Sequence, residues 1–350
     1  MLDAAPDPRS TSEAAARRGQ DDPAACGAAT VVTAAEIERA RSVIDGRAHV
    51  TPVFTSRLLS EAAGAPVVLK AELFQRTGSF KLRGVLTRLA GLSSAERQRG
   101  VITVSAGNHA QALAYGCAEE GIDCLVVMWR GATTAKAAAV RACGASINLE
   151  SADPTEAFGR METIQRQSGR LPIHPFSDPL VVAGQGTVGL EIAEQVPNVA
   201  TVLVPTGGGG LVSGVAVALR ARSPSARVVA VEPQDAAALA LGLEAGRPVP
   251  LTPVTHADGL AAPYTSDLCI ELCRSCRVGT VRVTEDEIRE GMRFLYGRAK
   301  LACEPAGAAG VGALLAGKIA RPSAGTIVAV VSGGNVDAHV ASATLAGDEG

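Results

Sequence analysis

Aromatic side chains are scarce, at 3% of 350 residues with a single Trp, so the chain is poor in ring platforms. An excess of either charge is lacking too. Lys+Arg 33 against Asp+Glu 35 leaves a net charge of -2, which removes the electrostatic reason to propose a nucleic acid or an anionic membrane as partner. The eight cysteines (Cys26, Cys117, Cys124, Cys143, Cys269, Cys273, Cys276 and Cys303) are too sparse for a disulfide scaffold, and no apolar stretch near the start resembles a secretory signal. A reducing cytoplasm is the expected location. The one stretch that suggests a membrane is residues 195–219, which carry no charge and are long enough to span a bilayer. Pro205 and the glycines 207–210 interrupt that run, and inside a helix they would cost about 3 kcal/mol for the proline and ~1 kcal/mol for each glycine. The stretch reads instead as buried strand, tight loop and buried helix.

What is present is a large apolar fraction, 47%, with 19% charged residues and 38 glycines. That balance fits a well-buried globule of about two domains with a small-molecule ligand. Residues 1–32 lack helical or strand periodicity and are expected to form a disordered tail. Beyond them, short Val/Ile/Leu runs at 67–69, 101–104, 124–128, 201–204, 228–231, 280–283 and 326–331 alternate with helix-like stretches such as 108–120, 211–222, 285–300 and 305–319. Strands that are nearly all apolar belong to parallel sheets covered on both faces, so an α/β architecture is expected, with ligands at the carboxyl ends of strands.

Three strand-to-helix junctions could hold such a ligand. In Pro205-Thr206-Gly207-Gly208-Gly209-Gly210-Leu211, consecutive glycines let backbone N–H groups converge at a helix start, which suits a phosphate; a packing turn is the plainer alternative. Glu232, at the end of the next strand, stands where a dinucleotide's ribose would be bound, but Val212 or Ser213 falls where the sixth-position glycine of a dinucleotide fingerprint should be. In Ser105-Ala106-Gly107-Asn108-His109, hydroxyl, amide and helix-start N–H donors suit a carboxylate, although an ordinary N-cap loop looks the same. The third junction is Ser332-Gly333-Gly334-Asn335. Gly78-Ser79-Phe80-Lys81-Leu82-Arg83-Gly84 adds a lysine that, if drawn into a closed cleft beside a phosphate cradle, would lose its charge and form a Schiff base with a carbonyl cofactor.

These four motifs in this order resemble the threonine/serine dehydratases and serine racemases among the fold type II pyridoxal-phosphate enzymes, over roughly residues 33–345. The resemblance implies two open parallel-sheet α/β domains with the cofactor in the cleft between them: a large domain from 33–99 and 177–345, and a small one from 100–176. It implies that Lys81 holds pyridoxal phosphate and then acts as base at the substrate Cα. By the same resemblance Gly207, Gly208, Gly209, Gly210 and Leu211 bind the phosphate. Asn108 bonds the ring oxygen, Phe80 lies against the ring and Ser332 meets the pyridine nitrogen. Ser105 and the amides of Gly107, Asn108 and His109 grip the substrate carboxylate. A homo-oligomer, dimer or tetramer, is expected.

The expected reaction is dehydration and deamination of a β-hydroxy amino acid, L-threonine or L-serine, to a 2-oxo acid and ammonia. Where related racemases carry a second acid/base serine this chain has Ala106, the dehydratase-like choice. Glu232 matches a cation ligand of the racemase-like members, but its companion acid is replaced by Ala238, which leaves a divalent cation possible and unsupported. Ala261 and Ala262 supply no polar group to read a substrate hydroxyl, so a larger or more apolar substrate such as phenylserine stays open, as do hydroxyaspartate and a hydroxyectoine-pathway compound. A non-catalytic amino-acid-binding protein of the same fold is the alternative from another class. Cys269, Cys273 and Cys276 have the spacing of an iron–sulfur ligand set, but the same spacing on a helix places them on one buried face.

Overall fold

The computed structural model describes residues 32–131 and 134–347; the expected tail lies outside them except for Val32, and Cys26 with it. The apolar runs become two sheets. The larger has the order β1-β2-β10-β7-β8-β9, built from β1 (Val53–Thr55), β2 (Val67–Ala71), β7 (Val199–Pro205), β8 (Arg227–Pro233), β9 (Gly279–Val283) and β10 (Thr326–Val331). The smaller has the order β5-β4-β3-β6, from β3 (Val101–Val104), β4 (Cys124–Trp129), β5 (Ser146–Ser151) and β6 (Leu171–Pro172). Every pairing is parallel except β1 with β2, where Val53 lies opposite Lys70 in an antiparallel edge. β1 was not among the expected strands: it reaches β2 through a connection of fewer than a dozen residues, which includes a short helix yet stays on the sheet's edge.

The helices, in chain order, are α1 (Ala34–Ile44), α2 (Arg57–Ala63), α3 (Lys81–Ala90), α4 (Ser94–Arg99), α5 (Asn108–Glu120), α6 (Thr134–Ala142), α7 (Pro154–Ser168), α8 (Pro179–Gln195), α9 (Gly210–Arg222), α10 (Ala238–Ala245), α11 (Asp267–Ser275), α12 (Glu285–Phe294), α13 (Pro305–Leu315) and α14 (Ala338–Ala346). β10 sits centrally in the larger sheet and buries every residue from Ile327 to Val331, because its alternate side chains enter two different cores. Ile327, Ala329 and Val331 join α12 and α13 on one face, while Val328 and Val330 join α8 and α9 on the other. Leu82, Val85, Leu86 and Leu89 of α3 share a third core with α5 and the smaller sheet. Residues 195–219 run from the last residue of α8 through β7 and the glycine loop into α9, and no described helix is long and apolar enough to cross a membrane.

Two arrangements fix α3, whose first residue is Lys81. One is close helix packing. A Cβ on Gly184 of α8 would stand 2.5 Å from the Arg83 carbonyl oxygen of α3, and one on Gly214 of α9 would stand 2.4 Å from the Val182 carbonyl oxygen of α8. The three helices therefore touch backbone to backbone, which only glycine permits. The other is a buried charge network. Arg83 donates to Glu72 (Nε to Oε2, 2.8 Å) and to Glu191 (Nη1 to Oε1, 2.5 Å), and Lys70 donates to Glu191 Oε2 at 2.5 Å. Two cations thus meet two carboxylates, and Thr51, Thr187 and Gln195 take up further hydrogen bonds, as buried charges require.

The three closely spaced cysteines lie along α11 and its C-cap. Cys269 and Cys273 are buried and Cys273 Sγ sits 3.3 Å from Ser213 Oγ. Among the described residues no group of three His, Cys, Asp or Glu side chains is placed to hold a metal.

Candidate active site

The chain on either side of Lys81 is held by the loop that follows β10. Ser79 pairs with Gly333 in an antiparallel bridge, Phe80 N–H donates to the Ser332 carbonyl at 3.2 Å, and Gly334 N–H donates to the Gly78 carbonyl at 2.9 Å. Ser332 is thereby fixed beside Phe80 and Lys81, which are some 250 residues away in sequence. Lys81 Nζ donates to the Pro175 carbonyl at 3.2 Å and lies 5.1 Å from the centre of the Phe80 ring. Withdrawal from water pushes its pKa down to about 8, against the opposing pull of Glu304 and Cys269.

Pro175 also links Lys81 to the glycine loop. Phe176 packs so closely on that loop that a Cβ at Gly208 would stand 2.4 Å from its ring. Gly209 takes a left-handed φ of 97° and caps α9 without a side-chain hydrogen bond, so the first-turn N–H groups of α9 are left without a side-chain acceptor. Thr265 Oγ1 braces the loop by donating to the Gly208 carbonyl at 3.0 Å. His174 Nδ1 accepts from the Phe176 and Ser177 N–H groups at 3.2 and 3.0 Å, which leaves its proton on Nε2, directed at the Tyr264 hydroxyl 3.1 Å away. Burial drives the His174 pKa down to about 4, with Lys81 adding to the effect, so this ring is neutral near pH 7.

The loop between β3 and α5 is shaped by Ser105, whose Oγ accepts from Gly107 N–H at 3.2 Å. Gly107 caps α5 without a side chain, and the N–H groups of Asn108 and His109 open the helix. His109 is itself buried, donating from Nε2 to the Ile173 carbonyl at 3.1 Å, and desolvation pushes its pKa down to about 3. It is a helix-start structural histidine, as its sequence position suggests.

Asn108 leads to residues that sequence reasoning missed. Its Nδ2 donates to Glu304 Oε1 at 2.7 Å, and its Oδ1 accepts from Asn335 Nδ2 at 2.7 Å. Asn335 Nδ2 also donates to the Thr77 carbonyl at 2.8 Å. Glu304 is 4% exposed and caps α13 with its backbone only, its carboxyl turned away from the helix. A Cβ on Gly333 would fall 2.4 Å from Glu304 Oε1. Burial raises the Glu304 pKa to about 8, reinforced by Asp258 and opposed by the Asn108 hydrogen bond, Lys136 and Lys81. The available signal was that Glu304 is the sole charged residue between Lys300 and Lys318. Nothing in the sequence pointed to Phe176.

Glu232 has a different task from the one its sequence position offered. Its two carboxylate oxygens accept from the N–H groups of Leu239 and Ala240 at 2.7 and 3.0 Å, at the start of α10. Burial raises its pKa to about 7. The acid thus caps a helix, and Ala238 brings no side-chain donor to assist a metal there.

The donor set suits an aldehyde phosphate on a flat ring. A phosphate would meet glycine N–H groups, a depressed lysine amine would meet the aldehyde, and Ser79 Oγ is buried nearby without a hydrogen-bond partner. Comparisons with known proteins agree. Residues 44–333 match the family described as pyridoxal-phosphate dependent enzymes. The chain is 40% identical over 311 residues to an L-threonine ammonia-lyase of Thermotoga maritima, covering 89% of this chain and 77% of that one. It is 39% identical over 304 residues to the catabolic L-threonine dehydratase TdcB of Escherichia coli, covering 86% and 92%. The solved structure of maize serine racemase superposes with a TM-score of 0.85 at 34% identity, covering 91% of this chain and 98% of that one.

Proposed function

The chain belongs to the pyridoxal-phosphate-dependent enzymes, and from that premise we propose that it is an ammonia-lyase that dehydrates and deaminates L-threonine or L-serine. The observation that carries the proposal is the Lys81 amine, brought to a pKa of about 8 between a glycine cradle and the Ser332 loop. The names of the relatives favour threonine as the first substrate to try.

Bound pyridoxal phosphate supplies an electron sink conjugated to the substrate Cα. Gly207, Gly208, Gly209, Gly210 and Leu211 would hold the phosphate through backbone N–H groups at the start of α9. Asn108 would bond the ring oxygen and Phe80 would lie against the ring. Ser105 with the amides of Gly107, Asn108 and His109 orients the substrate carboxylate and so aligns the Cα–H bond with Lys81. The free Lys81 amine takes the Cα proton, which its depressed pKa allows near neutral pH. Ser332, which would face the ring nitrogen, is a neutral hydroxyl and cannot hold a proton there as a carboxylate would. Negative charge at Cα is therefore short-lived, and prompt loss of the β-hydroxyl follows. The Cα–H and Cβ–O bonds break, water leaves, and the released enamine takes up water to give 2-oxo acid and ammonium.

A serine racemase is the second reading, favoured by the maize superposition. Ala106 argues against it, since a methyl group cannot exchange a proton on the face opposite Lys81. The same proposal puts residues 100–176 in a small domain, residues 33–99 and 177–345 in a large one, and the enzyme in the cytoplasm as a homo-oligomer. The test is purified protein with pyridoxal phosphate and a panel of β-hydroxy amino acids, with 2-oxo acid, ammonia and D-serine measured together. Expected is 2-oxo acid and ammonia in equal amounts, falling by on the order of 10²–10⁴-fold or more in Lys81→Ala. Dominant D-serine would overturn the lyase reading.

A further inference from the structure

Asn108 has only one orientation open to it. Asn335 donates to the Thr77 carbonyl and to Asn108 Oδ1, so flipping the Asn108 amide would set two donors against each other. Its Nδ2 is thereby directed at Glu304, leaving one further N–H for another acceptor. Glu304 cannot swing away, because Gly333 lies against Oε1 and its backbone N–H is bound to the Gly333 carbonyl at 3.1 Å. A carboxyl enclosed in this way, within electrostatic reach of Lys81, is more than a helix terminus needs.

We propose that Glu304 is a positioning residue of the lyase, which orients Asn108 and, by gaining or losing a proton, sets the charge felt at the Lys81 end of the cleft. The inference rests on the functional reading above. The charged groups facing Glu304 are Lys81 from α3, Asp258 from the segment before α11, and Lys136 from α6, which is ion-paired with Asp258. Its neighbour Cys303 is held neutral by burial, and so is Cys269 on the far side of Lys81. Lys136 and Asp258 pull on Glu304 in opposite directions, and its own proton adds or removes a full charge beside Lys81. Neutral Glu304 leaves Lys81 facing an uncharged acceptor. Ionised Glu304 favours a positive charge on the lysine nitrogen and keeps it protonated to higher pH. The two groups titrate as a pair.

The holoenzyme, Glu304→Gln and Glu304→Asp are titrated from about pH 6 to about pH 10 by the visible absorbance of bound pyridoxal phosphate, which reports the charge on the Lys81 nitrogen. Gln keeps the acceptor for Asn108 and removes the charge. The parent should show two linked steps. Glu304→Gln should show one, displaced downward by on the order of one pH unit, with the cofactor still bound. Superposition of the Gln and parent titrations overturns the inference while leaving the lyase reading intact. Absence of a cofactor band in the parent overturns both. Should the Gln variant fail to take up cofactor, the Asp variant decides: it keeps the charge and must keep two steps, and a single step there also overturns the inference.

Discussion

At the scale of single residues, two buried groups give opposite pH signatures. Lys81 in the cofactor-free protein becomes an uncharged amine as pH passes about 8, well below the ordinary lysine range. Uptake of pyridoxal phosphate by apoprotein should therefore accelerate as pH rises towards 8 and level off above it, which stopped-flow absorbance would record. A rate that kept climbing towards pH 10 would mean an ordinary, solvated lysine. Glu304 has its folded pKa raised from 4.5 to about 8, so between those values the folded chain holds a proton that the unfolded chain has released. Its contribution to stability is full below pH 4.5 and is lost as pH climbs through 8. Denaturant titrations of Glu304→Gln should show a weaker fall in stability across that window than the parent. Lys81, the glycine loop and Ser332 stood out in the sequence because each sits in a short motif. Glu304 could not, since its meaning comes from Asn108, 196 positions away, and from a Gly333 backbone that leaves it no other place.

Among the elements, α3 depends most on its neighbours. Arg83→Met would leave Glu72 and Glu191 buried with Lys70 as the remaining buried cation of the network, and a loss of about 3–5 kcal/mol in urea unfolding is expected. A loss below ~1 kcal/mol would show that water reaches the network. The helix expected at 108–120 has the bounds observed for α5, because Gly107 and Gly121 mark both ends. The helix expected through residue 300 instead leaves α-geometry at Phe294 for a π-turn, Leu295–Ala299, and stops at Lys300 with φ 60°. Nothing local signals that change; Leu295 is buried in the core beside α13, and one extra residue per turn keeps it there. Strand β5 was invisible because Ser146–Ser151 is polar along most of its length and edges its sheet, and β1 and β6 are three and two residues long.

On the scale of the whole molecule, alternating apolar runs were enough to foresee an α/β architecture, since parallel strands buried on both faces leave an unbroken apolar signature, while the division into two sheets was implied by the family resemblance. They did not foresee where the cores divide. Leu82 to Leu89 of α3 pack with the smaller sheet, while Arg83 on the same helix is bound to Glu72 and Glu191 beside the larger one. The lysine helix thus belongs mechanically to both. Its backbone contact with α8, and that of α8 with α9, also links the helix of Lys81 to the helix that follows the glycine loop, through the close approaches at Gly184 and Gly214. Such a stack has no soft layer that could yield first. On heating, the ability to bind cofactor and the far-ultraviolet signal of the helices should disappear in one step, so heat inactivation would report global melting and no milder loss of activity would precede it.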